Sequence, residues 1–203
     1  MSSLDKALAE ISAIRAQMAR ATEFRGLGPM TSAATALVAV GAAEVQGVWI
    51  AHPAAHLASW LALWTGAAAC SAVLVGAEMV TRSHRLHSDM AESMIWAAIE
   101  QLVPAGVAGA LLTAVLWLYA PEALWMLPGL WQILFGLALF AACRVLPRSL
   151  MLAGAAYIGA GVACLALARG ASALSPWAMG APFGLGQALI AVLLQRGLGA
   201  DDV

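Results

Sequence analysis

Charge is scarce in this 203-residue sequence: only 10% of the residues are Asp, Glu, Lys or Arg, against 63% hydrophobic ones. The mean hydropathy is +0.86. A water-soluble domain carries roughly a quarter charged residues. A chain so poor in charge cannot cover itself with polar groups, so lipid must be its solvent over most of its surface. No basic tract lines up Lys and Arg to neutralise phosphates, which excludes nucleic acid as a partner. Cysteine is nearly absent too. Cys70, Cys143 and Cys164 fall inside apolar runs and form no C-x-x-C pair, which excludes a disulfide framework and leaves them the role of small apolar packing residues.

Other absences narrow the function. There is no phosphate loop, no G-x-S-x-G elbow and no H-E-x-x-H, so neither an enzyme nor a cofactor is expected. A b-type haem needs axial histidines at membrane depth, and His52, His56, His84 and His87 all lie outside or at the ends of the apolar runs. The two histidine pairs have metal-compatible spacing, with Asp89 and Glu92 near the second, but they read as ordinary interfacial residues. A cleaved signal peptide is not expected, because charged residues alternate from Asp5 to Arg25 before the first long apolar run.

That N-terminal stretch has a pattern of its own. Leu4, Ile11 and Met18 recur at heptad spacing with Leu8 and Ile14 beside them, while Asp5, Lys6, Glu10, Arg15, Arg20 and Glu23 take the other faces. Residues 1–25 are expected to form a cytoplasmic amphipathic helix. It would lie on the lipid bilayer or fold back on the bundle, or serve as the contact with a second copy or another protein. Gly26 to Pro29 then breaks the helix.

Residues 26–203 read as an all-α, six-helix transmembrane domain. Six apolar runs, each near the roughly 20 residues that cross a bilayer, are placed at Met30–Ile50, His56–Val80, Met94–Leu118, Leu124–Cys143, Leu150–Ala168 and Trp177–Leu194. Nine of the ten basic residues flank them on one side, and Arg169 alone falls on the other. The positive-inside rule then puts both termini in the cytoplasm. Trp49, Trp60, Trp117, Trp125 and Trp177 are expected at the outer interface. Pro104 to Leu112 and Pro182 to Ile190 align without a gap at Pro, Gly, Ala and Leu. This suggests a 3+3 inverted repeat, as in many transporters.

Polar groups within the runs are the candidate binding residues. Glu44 lies in the first span, where an ionised carboxylate is disfavoured, so it is expected to be neutral or paired with another helix. Gln46, two positions on, points elsewhere. Glu78 precedes Arg82 by one helical turn, which reads as an ion pair. Glu100 and Gln101 open the third span. There Pro104 frees the Glu100 carbonyl and makes a local polar pocket plausible. Gln132, Gln187 and Tyr157 are expected to face the same interior.

Leu146-Pro147-Arg148 and the stretch SPWAMGAPFGLGQ from Ser175 to Gln187 resemble segments of small bacterial polytopic membrane proteins with an amphipathic N-terminus. The resemblance implies a bacterial inner-membrane setting and brings no activity with it. The expected function is transport or a channel-like role, with Glu44 and Glu100 inside the bundle. The alternative is a membrane-embedded sensor or accessory subunit working through a partner.

Overall fold

Proline, glycine and short polar turns divide the chain, and long apolar runs between them propagate as helices because only a helix satisfies its own backbone in an apolar medium. The computed structural model describes residues 27–86 and 91–199. The expected N-terminal amphipathic helix, His87 and Asp89 lie outside the described residues. The described residues form six α-helices: α1 (Pro29–Trp49), α2 (Leu57–Leu86), α3 (Ala91–Tyr119), α4 (Leu127–Ala142), α5 (Leu150–Leu167) and α6 (Pro176–Gly199). Short 3-10 turns at Pro121–Met126 and Gly170–Leu174 join α3 to α4 and α5 to α6. No strand occurs among the described residues. Among the described residues five segments are long and apolar enough to cross a membrane: those of α2, α3, α5 and α6, and α4 taken together with the 3-10 turn before it, Pro121–Ala142. α1, also 21 residues long, is diluted by Thr31, Ser32, Thr35, Glu44 and Gln46 and does not join that set.

Each helix packs on the next in sequence, and α6 returns to α1, so the order around the bundle is cyclic. The two most extensive contacts are α1 on α6 and α4 on α5. Both depend on missing side chains. Along α4, Gly129, Ile133, Gly136 and Phe140 follow one another at alternating steps of four and three, and Gly154, Ile158, Gly161 and Leu165 do the same along α5. Glycine opposes glycine: a Cβ built on Gly161 would stand 2.6 Å from the Gly129 carbonyl, and one on Gly136 would stand 2.7 Å from that of Gly154. Neither position can hold even alanine without moving backbone. On α1 the small stripe Ser32, Thr35, Ala36, Ala39, Ala42 and Ala43 ends at Gln46 and is buried against Gly180 and Gly184 of α6. Small residues are how helices approach closely where lipid gives no hydrophobic drive.

The core has two layers. One, at the end carrying Arg82, Arg144, Arg148 and Arg196, gathers Met79, Leu139, Leu146, Leu150, Tyr157, Ile190 and Leu194. The other, toward the opposite end, gathers Trp60, Trp64, Leu124, Leu127, Leu174 and Met179. Phe183 packs against both. Trp60 is therefore a core residue, 1% exposed, and not the interfacial anchor its position suggested. Trp49, Trp117 and Trp177 are exposed. Cys70 is exposed as well, contrary to the packing role expected of it.

Candidate functional site

α6 is the polar spine of the bundle. Its Pro182 has no N–H, so the carbonyl of Ala178 one turn earlier loses its helical partner. The Nε2 of Gln132, from α4, donates to that carbonyl at 2.8 Å. Only an amide nitrogen can do this, so the carbonyl dictates the orientation of the Gln132 side chain. Its Oε1 is left buried with no hydrogen-bond partner, and so is the indole Nε1 of Trp60. Trp60 belongs to the layer away from the basic end with Met179, the neighbour of Ala178, and Trp131, the neighbour of Gln132, packs against that layer. Trp60 also stacks on Trp131, with ring centroids 5.8 Å apart. An unused acceptor and an unused donor are thus buried in the bundle, each a group that normally costs about 1–3 kcal/mol to leave unpaired.

The other buried amide is complete. Gln46 donates from Nε2 to the Leu174 carbonyl at 2.7 Å and accepts at Oε1 from the Trp64 indole at 2.7 Å. One side chain thereby ties α1, α2 and the turn before α6 together. Deeper along α6, the Tyr157 hydroxyl donates to the Phe183 carbonyl at 3.4 Å, inside an aromatic group with Phe135 and Phe183. The Thr35 hydroxyl lies 2.9 Å from the Ser32 carbonyl and 3.1 Å from Oε1 of Gln187; its one proton serves either acceptor. At the basic end, Glu78 pairs with Arg82 at 3.9 Å, at the spacing the sequence indicated. Its Oε2 also accepts from the Gly28 backbone N–H at 3.1 Å. The carboxylate fills the volume a side chain at Gly28 would need, which makes it an anionic stop at the positive end of α1.

Of the residues named from sequence, the structure brings Gln132, Gln187 and Tyr157 to α6. It does not bring the two acids there. Glu44 and Glu100 are exposed on the outside of the bundle, against the expectation that they sit within it. Gln101 is half-buried, and Pro104 is exposed beside Glu100. Among the described residues no amide side chain reaches the Glu100 carbonyl that Pro104 frees, as Gln132 reaches that of Ala178. His52 and His56 are exposed, and no group of three or more His, Cys, Asp or Glu converges among the described residues.

Gln46, Trp60 and Trp64 were missed from sequence. A signal was there: Trp60 and Trp64 are one turn apart on α2, and Gln46 has Ala39, Ala42 and Ala43 as its helical neighbours. A polar residue at the end of a small-residue stripe is one that close helix packing will bury. Comparison of the chain with protein-family models, with curated proteins and with solved structures yields no match.

Proposed function

We propose that the chain is a small transport or channel-like protein of the bacterial inner membrane, crossing it six times with both termini in the cytoplasm. The observation that carries this is the pair of buried groups without a partner, Gln132 Oε1 and Trp60 Nε1, on residues that adjoin or stack on Trp131. A neutral solute with a donor and an acceptor can supply what each group lacks. Gln187, Thr35 and Tyr157 continue a line of hydrogen-bonding groups along α6. Glu44, Glu100 and Gln101 take no part in that line.

The sixth crossing, beyond the five that the apolar segments supply, is proposed for α1. Its 21 residues span about 31 Å, the thickness of a hydrocarbon core, and it runs along α6 for much of its length. The termini are assigned from the basic residues clustered at one end. A 3+3 inverted repeat belongs to the same proposal, supported by Pro104 and Pro182, each inside the third helix of its half.

The test is permeability. The protein in liposomes, challenged with urea, glycerol and acetamide in a stopped-flow shrinkage assay, is expected to speed entry of at least one. Gln132→Leu is expected to remove that gain, while the lipid-facing Leu185→Ala keeps it. A parent protein that passes none of the three would favour the alternative, a sensor or accessory subunit. α3 supports that alternative: within its stretch from Ile99 to Tyr119 only Gly109 is buried, which leaves most of a span free for a partner.

A further inference from the structure

A carboxyl group near the end of a membrane helix can reach water only if its side chain leans that way. On an α-helix every Cα–Cβ bond tilts toward the N-terminus. Glu100 opens the apolar stretch Ile99–Tyr119, so it leans out of the hydrocarbon. Glu78 lies near the C-terminal end of the span Leu57–Arg82 and leans inward, but Arg82 and the Gly28 N–H receive it. Glu44 is also near a C-terminal end, about a turn and a half, or roughly 7 Å, before Trp49. It too leans inward, on an exposed face, and no hydrogen bond or ion pair joins it to the described residues.

The face around Glu44 is built for close approach. Leu37, Gly41, Glu44 and Val48 follow one another at alternating steps of four and three and are all exposed. Leu37 is 74% exposed and Val48 76%. A Cβ on Gly41 would meet nothing within 4 Å. The spacing is the one by which α4 and α5 interlock, with glycine between larger residues. Lipid tails offer no partner to the acid. A second copy does, because a two-fold axis along the membrane normal sets each residue of a parallel helix opposite itself. In its neutral form a carboxyl group has one donor and one acceptor, so two of them satisfy each other completely.

We propose that this protein is a homodimer through α1, in which the Leu37–Gly41–Glu44–Val48 faces of two copies meet and the two Glu44 side chains hydrogen-bond across the axis. The dimer requires α1 to lie in lipid, which is part of the function proposed above, but not that the bundle carries a solute. Full-length protein with Cys70, Cys143 and Cys164 replaced by Ala would carry a single new cysteine and be oxidised in native membranes. Gly41→Cys and Val48→Cys are expected to give a disulfide-linked dimer, and Val107→Cys, exposed on α3, is not. In detergent, Glu44→Gln should keep the association, because an amide retains donor and acceptor, while Glu44→Leu should weaken it about tenfold.

Monomer at both α1 positions, linkage at Val107→Cys equal to theirs, loss of association in Glu44→Gln, or full association in Glu44→Leu would each overturn the dimer. A membrane-impermeant maleimide applied to Gly41→Cys distinguishes the two failures. Labelling there would show that α1 is not in lipid and would sink the six-span topology together with the dimer. Protection without cross-linking would remove the dimer alone.

Discussion

Gln46 and Gln132 are the same residue type, both 0% exposed, and each donates to a carbonyl at or near the start of α6. They differ at the other end of the amide. Gln46 receives Trp64, and Gln132 receives nothing although Trp60, one turn before Trp64 on α2, also lacks a partner. A buried amide with both ends used is a fastener, and its worth is the cost of the groups it would orphan. An amide with one end used holds its own position and keeps an acceptor in reserve. Burial alone therefore does not tell a fastener from a half-used amide; a count of satisfied ends does.

The largest effect is expected from Gln46→Leu, which strands both the Trp64 indole and the Leu174 carbonyl. Thermal unfolding in detergent should register a loss of about 3 kcal/mol. Gln132→Leu strands only the Ala178 carbonyl and removes an oxygen that was unpaired already, so it should cost about 1 kcal/mol. A loss equal to that of Gln46→Leu would mean that Gln132 Oε1 is engaged after all and would erase the distinction. Trp64→Phe and Trp60→Phe remove the same volume, which makes their difference a measure of the hydrogen bond. Trp64→Phe should be the worse by about 1 kcal/mol. The smallest change belongs to Thr113→Val, which deprives the Trp131 indole of its 3.0 Å acceptor at a half-buried site. There about 0.6 kcal/mol is expected, and anything larger would implicate the stacking of Trp131 on Trp60.

Helix positions were legible because hydrophobic run length is set by helix geometry and little else. The run read as Leu150–Ala168 forms Leu150–Leu167, and that read as Met30–Ile50 forms Pro29–Trp49. Which face of a run turns inward was less legible. Glu44 drew attention as the costlier group, yet its helical neighbours Leu37, Val40 and Val48 are large and face out, whereas those of Gln46 are alanines. In a bundle held by close backbone approach the small stripe is the inner one, and the acid follows its neighbours. The partner of the Pro182 break was hidden for another reason. That Ala178 needs a donor follows from one residue, but that Gln132 supplies it depends on how α4 meets α6.

The glycine seam between α4 and α5 has a mechanical consequence. Where backbone rests on backbone there are no side-chain rotamers to shift, so the two helices can neither slide nor splay by small steps. This hairpin is a rigid frame within the molecule, and the equally close α1–α6 pair lies beside it. Gln132 stands on that frame and Trp60 on α2, stacked against Trp131 of the frame, so the spacing of the unpaired acceptor and the unpaired donor is set by how α2 seats on it.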